Sequence, residues 1–303
     1  MLSSFQELID KVKKLETPPN IGVVVAEDEH SVEACIEAQR MGLVNPVFIG
    51  NKGKVVSVLE NLGVKDEYEI IDVKDNEQAP YEAVKLVHEG KLNALMKGKI
   101  DTGSLLKAVV DKENGLGTGR LMTHVVLNEV PSYHKLLLTT DGGMVTYPDL
   151  GKKKKIIENA VEVMHQLGYS NPKVGCLAAV EKVNPKMPET VDAHALKEMN
   201  EKGEITGCIV EGPISLDLAL SNEVAKLKNY DSPVAGDADI LIAPNITVGN
   251  ILGKSLVIAA KGRMAGIIYG AKVPIVLTSR ASSTDEKLLS IAFASLIKME
   301  EIV

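Results

Sequence analysis

Short runs of β-branched and aliphatic residues alternate along this chain with longer stretches of amphipathic, helical periodicity. The apolar runs predict strands over 21–26, 46–50, 69–73, 94–97, 125–127, 135–140, 174–180, 207–210, 240–243 and 274–278. Helical spacing recurs over 31–41, 81–89, 153–167, 191–202 and 285–297. Most strand runs are continuous Val, Ile and Leu, the pattern of strands covered on both faces by helices. This alternation predicts an α/β protein: a three-layer α/β/α sandwich on a mainly parallel sheet. Turn chemistry is densest at Thr139-Thr140-Asp141-Gly142-Gly143-Met144 and Tyr147-Pro148-Asp149, which places a domain crossing there. The last strand and helix are expected to return to the first half. The resulting domains are residues 1–140 with 273–303, discontinuous, and residues 141–272.

Composition narrows the partners. With 34 basic and 41 acidic side chains the 303-residue chain has a formal net charge of −7, so no positive excess exists to displace counterions from a nucleic acid. Aromatics are 3% with no Trp, which leaves few platforms for stacking single strands. No apolar run approaches the ~20 residues of a membrane span. The first residues lack the basic start and apolar stretch of a secretory signal. Cys35, Cys176 and Cys208 are too few and too scattered for a disulfide framework or a zinc site. The expectation is a cytoplasmic protein acting on small molecules, with no metal and no nucleic-acid or membrane partner.

In open α/β sheets ligands sit beyond the carboxyl ends of the strands, so strand-to-loop junctions hold the candidate chemistry. One junction is Leu277-Thr278-Ser279-Arg280-Ala281-Ser282-Ser283-Thr284-Asp285-Glu286, where a strand gives way to a hydroxyl-rich loop and a helix. The helix N-terminus suits an anion such as phosphate, and Arg280 would add a forked, permanently charged donor set. Ser283-x-x-Glu286 equally reads as a capping box, with Asp285 complementing the helix dipole. A second junction, Met96-Lys97-Gly98-Lys99-Ile100-Asp101, sets the Lys97 ammonium at a strand's carboxyl end beside a glycine that admits a ligand; a solvated lysine pair is the alternative. The glycine-rich 114–120 segment lacks a Gly-Lys-Ser/Thr ending, and the first βα turn, Ala26-Glu27-Asp28-Glu29-His30, has no glycine. A nicotinamide dinucleotide site of Rossmann type is therefore disfavoured. The lysines at 152–155 read as a solvated helix face.

Six motifs in order carry more than the periodicity. They are Met96-Lys97-Gly98, Asn114-Gly115-Leu116-x-Thr118-Gly119, Asn184-Pro185-Lys186-Met187-Pro188, Glu211-Gly212-Pro213-x-x-Leu216-Asp217, Ala243-Pro244-Asn245-x-x-x-Gly249-Asn250 and Leu277-Thr278-Ser279-Arg280. On these residues the chain resembles the phosphate acetyl/butyryl transferases, and most of all the butyryl-transferring members, from near residue 4 to near residue 298. The resemblance implies two domains with a cleft in an isocitrate/isopropylmalate dehydrogenase-like fold, and acyl transfer between coenzyme A and inorganic phosphate. Coenzyme A is then a substrate and no cofactor is bound permanently. The implied catalytic positions are Ser279, Arg280 and Asp285, with Glu286 the alternative carboxylate. The implied substrate-binding positions are Lys97, Gly98, Thr118, Gly249 and Asn250. Assembly into at least a homodimer is expected. Two positions depart from the family pattern: Gly117 stands where relatives carry an arginine, and Ser282 where Asp is frequent. The acetyl-transferring branch also uses an anion-binding arginine with no counterpart near 257–261, for which Arg263 is the nearest substitute.

Overall fold

The computed structural model describes residues 2–279 and 282–299. The chain opens with α1 (Phe5–Val12), β1 (Asn20–Val24), α2 (Glu29–Arg40), β2 (Asn45–Gly50), α3 (Lys52–Asn61) and β3 (Glu69–Asp72). It continues with α4 (Ala79–His88), β4 (Ala94–Lys97), α5 (Thr102–Val109), β5 (Thr123–Glu129), β6 (Leu137–Thr140), α6 (Leu150–Gln166), β7 (Lys173–Leu177) and α7 (Pro188–Glu201). Then follow β8 (Ile209–Ile214), α8 (Leu216–Leu220), α9 (Asn222–Leu227), β9 (Ile240–Ile242), α10 (Ile246–Ile258), β10 (Arg263–Tyr269), β11 (Ile275–Val276) and α11 (Thr284–Leu296).

These elements form two compact units. One, here the N-terminal unit, comprises Gln6–Arg120 with Ala265–Val303; the other, the central unit, comprises Met1–Phe5 with Leu121–Met264. The chain crosses before β5, not after β6 as the turn-rich segment suggested. The reason is the antiparallel ladder between them, Val126 opposite Thr139 through Asn128 opposite Leu137, which holds the two strands together. The return falls inside β10, a strand the apolar pattern did not single out.

In the N-terminal unit the strand order is β3-β2-β1-β4-β11-β10. All neighbours are parallel except β10 with β11. Ile21, Val23 and Val24 of β1 are each at most 1% exposed, so both faces of this strand are covered. The chain steps outward from β1 to β2 and β3, then returns to place β4 on the other side of β1. Right-handed crossovers put α2 and α3 on one face and α4 on the other. The packing agrees: α2 touches α3 and α11, while α4 touches α5. The winding therefore reverses between β1 and β4, which opens a crevice beyond their carboxyl ends. Asp28, Asp101 and Ser283 end the turns there, each accepting an N–H from the first turn of α2, α5 or α11.

In the central unit the order is β5-β6-β9-β7-β8, parallel from β6 onward. Leu137, Ile214, Leu218, Val234 and Leu241 belong to one buried cluster there. β8 runs on through Gly212-Pro213, beyond the apolar run expected to end at 210. The helix α10, ITVGNILGKSLVI, is apolar nearly all round and holds two glycines, so it offered no amphipathic stripe to read. Lys153 departs from the expected solvated face: it is 6% exposed and pairs with Asp192 at 2.7 Å. Cys35, Cys176 and Cys208 are free thiols buried in the packing. No helix among the described residues is long and apolar enough to cross a membrane.

Candidate active site

A cavity of about 390 Å³ lies at the crevice of the N-terminal unit, lined from three strand ends: Asp28 and Ser31 after β1, Lys97 and Gly98 at the end of β4, and Ser279 after β11. The three strands are sheet neighbours, so their following turns converge. Lys97 closes β4 and is 7% exposed. Its Nζ donates to the carbonyl oxygens of Gly98 and Ile100, each at 3.3 Å. Gly98 is fixed by crowding: a Cβ there would stand 2.3 Å from the carbonyl oxygen of Val25. The glycine lets the turn after β4 lie against the end of β1, where Gly98 N donates to Val24 O and Lys99 N to Val25 O. Its requirement is structural as well as permissive to a ligand. The lining charges are three lysines, Lys97, Lys99 and Lys287, against Asp28 and Asp101. Both aspartates are engaged as helix caps, Asp101 to Ser104 N and Asp28 to Ser31 N at 2.9 Å.

The expected Ser279 corner is exposed at the cavity's edge, and Arg280 lies outside the described residues. The two neighbouring carboxylates differ. Asp285 is exposed in the first turn of α11. Glu286 is half-buried and accepts a 2.6 Å hydrogen bond from Ser282 Oγ. Burial pushes the Glu286 carboxyl above the usual range, against the opposing pull of the Ser282 hydroxyl and the Lys287 charge. Neither carboxylate is among the side chains lining the cavity. Ser282 is buried and serves this hydrogen bond.

Thr118 also belongs to the N-terminal unit but does not line the cavity. Its hydroxyl donates to Gly270 O at 2.7 Å, and Gly117 bridges to Ala271, so the 114–120 segment is tied to the turn between β10 and β11. Gly249 and Asn250 lie in the central unit, on the first turns of α10. There Asn250 Nδ2 donates to Gly142 O at 3.2 Å, and a Cβ on Gly249 would meet Asp141 O at 2.5 Å. The Asp141 carboxylate accepts N–H groups from Gly143 and Met144 at 2.8 Å and from His124 at 3.0 Å, which fixes the turn after β6. Burial holds the His124 imidazole below its ordinary pKa, partly offset by Asp141. Arg263 pairs with Glu129 at 3.1 Å and lies over the Phe5 ring, so its guanidinium is engaged within the central unit. Among the described residues no group of three or more His, Cys, Asp or Glu side chains is arranged to hold a metal ion.

Sequence reasoning missed Lys287. It is 4% exposed and lines the same cavity as Lys97. The available signal was its setting: a lysine opening the otherwise nearly apolar run Leu288-Leu289-Ser290-Ile291-Ala292-Phe293-Ala294, all of it buried.

A parallel α/β unit with basic side chains and helix N-termini gathered at its crevice belongs to the class that handles phosphorylated or otherwise anionic small molecules. Residues 72–295 match the family model described as "Phosphate acetyl/butaryl transferase", and the chain belongs to this family. It is 42% identical to the phosphate butyryltransferase of Clostridium acetobutylicum over 98% of this chain and 99% of that protein. It is 44% identical to the phosphate acetyltransferase of Thermotoga maritima over 91% of this chain and 94% of that one. A branched-chain phosphotransacylase from Enterococcus faecalis V583 shares the fold with a TM-score of 0.81 and 33% identity, covering 93% of this chain and all of its own (100%).

Proposed function

We propose that the protein transfers a short-chain acyl group between coenzyme A and inorganic phosphate: butanoyl-CoA + phosphate ⇌ butanoyl phosphate + CoA. A phosphate oxygen attacks the thioester carbonyl, the tetrahedral oxyanion collapses, and the C–S bond breaks to release the CoA thiolate. The reverse reaction forms that bond by thiolate attack on the acyl phosphate. The observation that carries this reading is the buried Lys97 ammonium in a cavity at the sheet's switch point, in a chain of this family.

Transfer is direct, within a ternary complex. Lys97 and Arg280 hold phosphate oxygens, and Ser279 donates to the reacting sulfur or the oxyanion, where one such donor is worth ~3 kcal/mol. Gly98, Thr118, Gly249 and Asn250 shape the substrate sites. A free thiol has a pKa of about 8.5 and is mostly protonated at neutral pH, so the direction that consumes CoA needs a base. The first turn of α11 supplies it. The family resemblance implied Asp285 with Glu286 as the alternative; the half-burial and raised pKa of Glu286 support the second. Coenzyme A as substrate without a resident cofactor, the isocitrate/isopropylmalate dehydrogenase-like arrangement, a cytoplasmic location and assembly into at least a dimer accompany this reading.

The identity to the Thermotoga maritima enzyme supports a second reading, acetyl transfer by the same chemistry. One methylene in an acyl pocket is worth about 1–3 kcal/mol, so chain length is a graded preference. Thiol release from acetyl-, propanoyl-, butanoyl- and branched acyl-CoA, with and without phosphate, separates these readings. Phosphate-dependent release with kcat/KM highest for butanoyl-CoA is expected. A maximum at acetyl-CoA makes the protein an acetyltransferase. CoA binding with no phosphate-dependent release removes the enzymatic reading.

A further inference from the structure

Lys287 poses a problem in electrostatics. Its ammonium is buried, and the carboxylate whose charge it meets, Glu286 of the same helical turn, already accepts a hydrogen bond from Ser282. Its Nζ donates to the carbonyl oxygens of Ser279 and Ser282, both at 3.4 Å, the long end of hydrogen-bond range. A buried cation is costly, and two long contacts to neutral carbonyls offset little of that cost. An ammonium has three N–H donors, and among the described residues these two carbonyls are what it donates to. Lys97, on β4, is likewise buried and contacts two carbonyls of its own turn. The two side chains line one cavity, Lys97 from the β4 turn and Lys287 from α11.

We propose that Lys287 is a second phosphate-binding residue, pairing its ammonium with that of Lys97 around the same tetrahedral oxyanion. The proposal rests on the phosphate acyltransferase reading and deepens it. The oxyanion is inorganic phosphate in one direction and the phosphoryl group of the acyl phosphate in the other. Contact with the ligand adds negative charge beside a buried ammonium whose hydrogen bonds go to neutral carbonyls. Because the same ammonium donates to the Ser279 and Ser282 carbonyls, phosphate binding and the placing of Ser279 are coupled.

The test is Lys287→Gln. The amide still offers two N–H donors, on a side chain one bond shorter, and removes the charge; a merely structural role leaves phosphate affinity unchanged. Loss of a charge-assisted hydrogen bond predicts a phosphate KM raised about 10–100-fold, with the butanoyl-CoA KM within about two-fold of wild type. Thermal protection by added inorganic phosphate shifts to higher concentration by the same factor, a readout that does not need turnover. A phosphate KM and protection curve equal to wild type overturn the proposal. Should the variant not fold, amine modification of the wild-type protein decides the matter. Phosphate is expected to shield both Lys97 and Lys287, and shielding of Lys97 alone overturns the role of Lys287. The wild-type protein separates the two failures. Phosphate protection without phosphate-dependent thiol release sinks the acyltransferase reading and leaves the lysine site standing.

Discussion

Replacing Glu286 by glutamine is expected to lower turnover in the acyl-phosphate-to-CoA direction by about 100–10,000-fold, the usual contribution of a positioned proton acceptor. The substitution is nearly isosteric, and the amide oxygen still accepts the Ser282 hydroxyl, so the loop before α11 keeps its hydrogen bond. The CoA KM should change little, because the thiol's proton, not its binding, is at issue. Asp285→Asn, on an exposed side chain in the same turn, is expected to cost less than about ten-fold. The pH profile gives an independent sign. The base acts deprotonated, so wild-type turnover falls as pH drops through the raised pKa of Glu286, and the pH at half-activity lies above the ordinary carboxylate range. That acid limb disappears in Glu286→Gln. Near-wild-type turnover in Glu286→Gln with a collapse in Asp285→Asn would move the base to Asp285.

The second large effect concerns stability and lies in the central unit. Lys135 is 1% exposed, Asp239 4%, and their side chains meet at 2.6 Å. Lys135 Nζ also reaches Asp237 O at 2.9 Å and the Asp237 carboxylate at 2.8 Å, and Asp239 accepts Lys173 N at 2.8 Å. The cluster joins the starts of β6, β7 and β9, where Leu138 N pairs with Asp239 O. Lys135→Met leaves a buried carboxylate without its cation, which costs about 3–5 kcal/mol for pairs of this kind. Chemical denaturation should show that loss as a lower midpoint with an unchanged slope. A second substitution, Asp239→Asn, removes the stranded charge, so the double variant should lose less than the sum of the two single losses. Strict additivity would mean that the pair is not coupled. Asp237 makes the cluster sensitive to acid. Burial opposes its ionisation, but hydrogen bonds from Lys135, Lys173 and His134 outweigh that and hold its carboxyl well below the usual range. A carboxyl depressed in the folded state adds stability that is complete above the unfolded value of about 4 and is lost as pH falls below it.

Much of this architecture is legible in the chain because both-face burial writes itself as unbroken Val/Ile/Leu runs. β1, β2, β4, β7 and β9 all fall where those runs predict them. What escaped was set by neighbours, not by local pattern. α10 is apolar on nearly every side, and β10 holds Gly266 in its middle, so neither gave a clean period. The crossing between units was hidden because both 114–120 and 139–149 are rich in turn residues, and only the β5–β6 ladder decides between them. In the site, Lys97 and Ser279 were legible as strand-end residues, and they line one cavity because β4 and β11 are sheet neighbours. Lys287 was not legible: among 34 basic residues, a lysine in a first helical turn looks like ordinary solvated surface until its burial is known. The contrast between Asp285 and Glu286 likewise comes only from the rotation of α11.

The central claim is that the oxyanion of the reaction is held at the carboxyl end of β4 by a buried ammonium. The most direct measurement is the phosphate KM of Lys97→Met at saturating butanoyl-CoA, with phosphate-dependent thiol release as the readout. A rise of about 10–100-fold is expected, the size of one lost charge-assisted contact, while the butanoyl-CoA KM stays within about two-fold. A folded Lys97→Met protein that uses phosphate as well as the wild type contradicts the account.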